Sequence, residues 1–328
     1  MKRVIALALS FVTGAGLAMS MQAPASAGDV PPIVVIYGAG KSVDKGLTLI
    51  AQVPGSDMSV PVSAKTGVNL AASSSTDGRV LVYLSLQNHG KSQQLYLMIR
   101  KDGVLLRHIP FGVGAILPSV SADGSIVLAA GPNGLKAFDV KRQRWSAFCT
   151  GCPTTNFSSA AISPDRRKVA MEHKDVGIQY MEIYRVSDGR RLARTTIQNS
   201  IGNPAWNAAS DTIAYVDNNS FTGLALGGIR TLTTSGVVAD TKFISTSKDP
   251  MAERMFSYTS PTWINNAVWA IRLAFGSKGF LATRVVTAKN WNSAPRAFGG
   301  SLYSGNEFWR LEVLGFVGWS AALPTPAH

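Results

Sequence analysis

The residues able to do chemistry in this sequence are few, and local structure accounts for most of them. Gly38-Ala39-Gly40-Lys41-Ser42 resembles part of a phosphate-binding loop. The full motif needs a glycine five positions before Gly40, where Val35 stands. It also needs a helix next, where Val43-Asp44-Lys45-Gly46 reads as a turn into a strand. A serine hydrolase of the peptidase type would need G-x-S-x-G on a strand–turn–helix elbow, and that motif is absent. His89, His108, His173 and His328 have neither H-x-x-x-H nor H-E-x-x-H spacing. His108 and His173 could act only in a site assembled from distant segments. A glycosidase needs paired carboxylates, but acids number only 19. Asp77, Asp102, Asp123, Asp165, Asp188 and Asp211 all stand in turn contexts, and no D-x-D-x-D-G calcium loop occurs. No catalytic residue, metal ligand set or cofactor is therefore assigned.

The elements that would have to position any site form a repeat. Ser75-Thr76-Asp77-Gly78-Arg79 leads into Val80-Leu81-Val82-Tyr83-Leu84. Ser121-Ala122-Asp123-Gly124-Ser125 leads into Ile126-Val127-Leu128-Ala129. Ser163-Pro164-Asp165-Arg166-Arg167-Lys168 leads into Val169-Ala170-Met171, and Asn207 to Thr212 leads into Ile213-Ala214-Tyr215-Val216. The aspartates Asp77, Asp123, Asp165 and Asp211 lie 46, 42 and 46 residues apart. A weaker fifth copy is Pro261-Thr262-Trp263-Ile264-Asn265-Asn266 into Ala267 to Ile271. Asp and Gly suit a tight turn, through side-chain bonding to the backbone and positive φ. Each copy continues into a second hairpin, as in Gln94 to Ile99, Arg100-Lys101-Asp102-Gly103 and Val104 to Leu106. Four strands per period of this length is the signature of a propeller blade. The fold class expected is all-β, a six-bladed β-propeller with a split closing blade, with seven blades as the alternative. Residues 32–54 and about 297–320 are expected to share the closing blade, which removes open sheet edges. Trp145, Trp206, Trp263, Trp269, Trp291, Trp309 and Trp319 fall mostly at blade-repeat positions, which packing between blades explains.

The Ser-Pro-Asp turn and its flanking strands resemble the WD-like repeat of TolB-type six-bladed propellers, over about residues 66 to 275. The same repeat occurs in the propeller of prolyl-oligopeptidase-type peptidases. The resemblance implies an exported bacterial propeller. Only one copy has the full Ser-Pro-Asp, and none has the Gly-His to Trp-Asp spacing of true WD repeats. Residues 28–65 are too few and too strand-like for the N-terminal α/β domain of TolB.

Cys149-Thr150-Gly151-Cys152 is read as a disulfide in a surface loop between the third and fourth copies. Its loss should cost little, because so short a loop constrains the unfolded chain weakly. A redox C-x-x-C would want a helix after its first cysteine, and a zinc site would want a second ligand pair. Lys2 and Arg3, the apolar run Val4 to Leu17 and the Ala25-Ser26-Ala27 site form a signal-peptide pattern. The expected organisation is a leader over 1–27 and one propeller domain over 28–328, secreted or periplasmic, with no transmembrane segment in the mature chain. Charge stands at +13 for the chain. That favours anionic partners, but there is no dense Lys/Arg block, and nucleic acid is not expected. The partners expected are a protein or an anionic cell-envelope polymer, bound by a non-catalytic scaffold. The alternative is a channel-mouth enzyme of lyase, lactonase or glycosidase type. Trp206 and Trp263 lie 57 residues apart, so Gly236 to Arg254 is read as an inserted loop. Within it Lys242, Lys248, Asp249 and Arg254 are the candidate binding residues. If the leader is cut after Ala27, mass spectrometry of the exported protein will give a chain that starts at Gly28; a start far from that position rules out this cleavage site.

Overall fold

Apolar side chains alternate along the strands, and the structure uses both sets. This is a computed structural model. It describes residues 33–39, 46–56, 58–89, 92–110, 117–131, 134–198, 203–218, 227–243, 246–247, 255–276, 279–303 and 318–327. Among these residues every regular element is a strand. The chain starts with β1 (Val34–Ala39), β2 (Thr48–Gln52) and β3 (Ser59–Pro61). The first complete blade is β4 (Val68–Ser74), β5 (Val80–His89), β6 (Ser92–Lys101) and β7 (Val104–Pro110). The second is β8 (Ser119–Val120), β9 (Ile126–Gly131), β10 (Gly134–Asp139) and β11 (Arg144–Ala147). The third is β12 (Phe157–Ile162), β13 (Lys168–Asp175), β14 (Ile178–Arg185) and β15 (Arg191–Ile197). The fourth is β16 (Ala205–Trp206), β17 (Thr212–Asn218), β18 (Gly227–Thr233) and β19 (Val238–Asp240). The fifth adds β20 (Thr246–Ser247) to β21 (Met255–Ile264), β22 (Ala267–Gly276), β23 (Gly279–Ala288) and β24 (Arg296–Tyr303). Finally β25 (Gly318–Ser320) returns to pair with β1, so the sixth sheet has the order β25-β1-β2-β3. The protein is thus a six-bladed β-propeller whose closing blade is split between the chain ends.

The second strand of each blade is buried on both faces, and its successive residues serve different interfaces. In β5, Leu81 and Tyr83 pack toward the closing blade, while Val80, Val82 and Leu84 pack toward the second. In β13, Val169 and Met171 face the second blade and Ala170 the fourth. In β22, Val268 and Ala270 face the fourth blade, Trp269 and Ile271 the closing one. An unbroken apolar run is what a strand sandwiched on both sides requires. The six buried clusters correspond to the six blade-to-blade interfaces.

The repeated turn joins the first and second strands of a blade through one hydrogen-bond pattern. Ser75, Ser121 and Ser163 are buried, and their hydroxyls donate to Asp77 (2.6 Å), Asp123 (2.7 Å) and Asp165 (2.5 Å). The same hydroxyls accept from the backbone N–H of Val80, Ile126 and Lys168, five residues on. Each carboxylate also accepts a backbone N–H two residues later, from Arg79, Ser125 and Arg167. In the fourth blade the amide oxygen of Asn207 replaces the serine hydroxyl and accepts from Thr212 N–H at 3.3 Å. The fifth blade abandons the pattern for a two-residue turn, Asn265-Asn266, with φ of 49° and 63°, the geometry of a type I′ hairpin. The turn between the third and fourth strands docks on this one in several blades. Asp102, Val140, Val186 and Thr234 donate their N–H groups to the carbonyls of Arg79, Ser125, Arg167 and Asp211. Both sets of turns therefore lie at one mouth of the ring. There Ala321 N–H bonds Thr76 and Thr76 N–H bonds Ala122, tying the closing blade to the first and second.

Two expectations need correction. The insert is narrower than the tryptophan spacing implied. Gly236 sits in the β18–β19 turn, β19 is the outer strand of the fourth blade, and Phe243 is fully buried against Tyr258 and Trp291. The surplus residues include β20, which pairs with β21 on its channel-facing edge, at the mouth opposite the Ser–Asp turns. The disulfide loop lies between the second and third copies rather than the third and fourth, with its tip Thr150-Gly151 exposed. It joins the second blade to the third, and Cys149 and Cys152 are buried in the cluster between those blades.

The turn pattern is testable. Removing the Ser163 hydroxyl leaves the part-buried Lys168 N–H without its acceptor, which costs about 1–3 kcal/mol. Ser163→Ala should lower the denaturant midpoint with an unchanged slope. Burial works to raise the Asp165 pKa, but hydrogen bonds from Lys168, Ser163 and Arg167 N–H outweigh it and hold the carboxyl below its usual range. A group depressed in the folded state stabilises above its unfolded pKa of about 4 and loses that contribution as pH falls through the folded value. Stability should therefore fall below about pH 4, and less steeply in Asp165→Asn; equal slopes in the two proteins would contradict this assignment.

Candidate functional site: the channel and its turn-bearing mouth

The first strand of every blade faces the central axis, where six strands converge and most of the side chains are small. The resulting cavity has a volume of about 230 Å³. Its wall is mostly alanine, serine, threonine and proline, with the indoles of Trp206, Trp263 and Trp319. A Cβ on Gly318 would stand 3.1 Å from the Ala72 carbonyl oxygen, which shows how closely the walls approach. The indoles brace the wall. Trp206 Nε1 donates to the Ala161 carbonyl at 2.9 Å and Trp319 Nε1 to the Ser260 carbonyl at 3.0 Å. Trp263 instead meets Trp291 edge-on, with ring centroids 4.6 Å apart. Among the described lining residues there is no carboxylate, imidazole, ammonium or guanidinium group. The polar side chains among the described lining residues are hydroxyls, the Asn203 amide and the three indoles.

The histidines considered for a channel site are elsewhere. His108 lies on the outer strand β7, exposed, with its ring against Tyr96 at 4.1 Å between centroids. His173 lies on β13 and its Nδ1 is 3.1 Å from Glu182. Gly38 and Ala39 of the partial phosphate-loop motif belong to β1, and Gly40 to Ser42 lie outside the described residues. Of the four candidate binding residues, Lys242 is exposed beside the buried Phe243. Lys248, Asp249 and Arg254 lie outside the described residues.

The disulfide loop instead has a packing role. A Cβ on Gly151 would lie 2.9 Å from both the Asp188 carbonyl oxygen and Gly189 Cα. The Cys149–Cys152 loop thus rests backbone to backbone on the Ser187-Asp188-Gly189 turn, and it clamps the second blade to the third.

Next to it lies a cluster that the turn-based reading of the acids missed. Glu182 is fully buried, yet four groups converge on it. Tyr184 Oη donates at 2.7 Å, Arg191 at 3.2 Å, and Arg194 forms an ion pair at 3.2 Å; His173 is the fourth. The Arg194 guanidinium lies over the Tyr180 ring, 3.4 Å from its centroid. Burial, together with the Glu182 carboxylate, pushes the Tyr184 phenol above its ordinary value. A buried carboxylate must be paired, and here the partners fill its lone pairs. The signal was present in Met181-Glu182-Ile183 and Met171-Glu172: an acid inside an apolar strand run demands partners. Glu172 meets that demand with Ser159 and Gln179, each at 3.2 Å. Among the described residues no group of three His, Cys, Asp or Glu could hold a metal ion.

Closed six-bladed geometry, a narrow channel whose described wall is uncharged and one mouth built of repeated Ser–Asp turns define the class: a β-propeller of TolB-like fold. Among solved structures, TolB from Acinetobacter baumannii superposes with a TM-score of 0.52 at 15% identity, over 88% of this chain and 66% of that one. The putative TolB from Agrobacterium tumefaciens does so with a TM-score of 0.50 at 12% identity, over 85% of this chain and 91% of that one. This chain thus spans just under two thirds of the Acinetobacter protein. No protein-family model matches the sequence, and no curated protein matches it.

Gly189 and Gly177 both have positive φ, 65° and 84°, but nothing lies within 4 Å of a Cβ on Gly177. Gly177→Ala should cost only backbone strain, about 1–3 kcal/mol. Gly189→Ala should cost about 1–3 kcal/mol more, for overpacking against Gly151. Thermal unfolding of the two variants measures the difference; equal midpoints would mean that the clamp is not tight.

Proposed function

We propose that the protein is an exported, non-catalytic propeller scaffold that binds a protein or an anionic cell-envelope component on one of its faces. On this reading residues 1–27 are a removable leader and residues 28–328 a single propeller domain. The observation that carries the proposal is the channel wall, whose described residues offer no titratable side chain to a substrate. A channel-mouth lyase, lactonase or glycosidase would want acids or histidines there. The Cys149–Cys152 disulfide suits an oxidising compartment. The likeness to TolB structures supports the scaffold and leaves the ligand open, because fold alone does not license function. The segment carrying Lys242, Lys248, Asp249 and Arg254 is one candidate contact.

The test is affinity capture from the envelope fraction of the source organism, with the exported protein as bait. A partner should be retained in stoichiometric amount and released unaltered. Chemical turnover of a retained small molecule or glycan would favour an enzyme instead.

A further inference from the structure

Charge is unevenly placed around the turn-bearing mouth. The turns of the second and third blades carry Lys141, Arg142, Arg144, Arg166, Arg167, Lys168, Arg185, Arg190 and Arg191. The corresponding fourth-blade turns, residues 207–211 and 233–237, carry no cation; those of the first blade carry Lys101 and Arg79, the latter paired with Asp102, and those of the fifth carry Lys289 beside the Asn265-Asn266 turn. Hydrogen bonds join the cationic turns into one continuous surface. Arg166 reaches across to Ser125 at 3.2 Å and to Asp123 at 3.6 Å. Val140 N–H bonds Ser125, Val186 N–H bonds Arg167, and Arg107 of the first blade bonds the Gln143 carbonyl.

The acids on this surface are already engaged. Asp123 and Asp165 sit in their serine turns and pair with Arg166 and Lys168. Asp139 holds Arg142 through both backbone and side chain, and Asp188 holds Arg185 and the Arg190 N–H. Lys141, Arg144, Arg167 and Arg190 are exposed and have no carboxylate within ion-pair distance among the described residues.

We propose that this sector of the mouth binds a linear polyanion, with Lys141, Arg144, Arg167 and Arg190 as the cations that meet its repeating phosphate or carboxylate groups. The proposal rests on the scaffold reading above and names its partner. Four unpaired cations spread over successive turns suit a chain of charges better than one small anion, which would want donors converging on a point. Arginine forks match phosphate and carboxylate oxygens in pairs. A protein interface of useful strength is anchored by buried aromatic or aliphatic side chains. A membrane-docking surface likewise needs apolar side chains to insert. The turn tips here are Ala122, Asp123, Pro164, Asp165, Ser187 and Asp188. The large exposed apolar residues Met58, Val104, Leu105, Val237 and Val238 belong to other blades, and Val176 and Ile178 of the third blade lie at its β13–β14 turn, at the end away from the Ser–Asp turns.

The test uses the exported protein and sodium polyphosphate of defined chain length, with binding followed by fluorescence anisotropy across a salt series. Binding should be steeply salt-dependent, as counterion release requires. Lys141→Gln/Arg144→Gln/Arg167→Gln/Arg190→Gln should weaken it at least about tenfold and flatten the salt slope. A control, Lys65→Gln/Lys174→Gln/Lys289→Gln/Arg296→Gln, removes the same charge outside the second- and third-blade sector and should leave affinity within about threefold. Circular dichroism of both variants should match the parent. Equal weakening by the two variants overturns the proposal, since the net charge alone would then be responsible. So does tighter association with phosphatidylglycerol vesicles than with polyphosphate, or orthophosphate binding as tight as that of the polymer. Failure to bind polyphosphate by a protein that still captures an envelope protein overturns the polyanion inference and leaves the scaffold reading standing.

Discussion

Everything in this ring depends on the second strand of each blade being buried on both sides. Tyr83 and Val82 are neighbours in sequence, yet they belong to different interfaces. The same holds for Tyr215 and Ala214, and for Trp269 and Ala270. A blade alone would expose one of these faces to water. Burying both requires a neighbour on each side, and this condition is met for every blade only when the ring closes. Closure is therefore a demand of the hydrophobic effect, met by β25 joining β1 in the sixth sheet. The same demand sets the channel chemistry, because six first strands brought together around one axis favour small side chains, chiefly alanine and serine, braced by three indoles.

The repeated turn converts this packing into a surface. A buried serine hydroxyl and an aspartate at a fixed spacing satisfy the backbone donors of the bend. The positions around them are then free to vary. In the second and third blades that freedom is used for arginine and lysine. In the fifth blade the pattern is replaced by Asn265-Asn266, which turns the chain through positive φ instead. The aspartates lock the bends and neutralise part of the basic charge. Cations left over at the same mouth make one sector chemically distinct in an otherwise repetitive ring. The buried Glu182 cluster and the disulfide loop lie in that sector too, between the second and third blades and within the third.

The turn serines and aspartates were legible as turns because their chemistry is local: one hydrogen-bond pattern within five residues. The apolar runs that follow them were legible as strands for the same reason. The inserted segment was harder. The spacing between Trp206 and Trp263 marked a surplus, but spacing is blind to where the extra residues go. Phe243 returns to the core and Val238 to Asp240 continue the fourth blade, so most of what looked like a loop before residue 244 is blade. The cysteines were legible as a pair, since three residues of separation allow little else in an oxidised chain. Their burial was not, because it depends on the third blade supplying the Asp188-Gly189 turn as a floor.

By itself the sequence determined the period, the strand-and-turn grammar of the blade and the split closure, since these follow from hydrophobic patterning and turn chemistry over a few residues. Only the tertiary structure decided which side chains meet. It put His108 and His173 away from the axis, surrounded Glu182 with two arginines and a tyrosine, and left the described channel wall without a charged group. It also gathered basic turns more than 40 residues apart in sequence, such as Arg166 and its Ser125 contact, onto one mouth. Such contacts join residues from different blades or strands, and their geometry exists only once the apolar faces on both sides of each second strand have been buried.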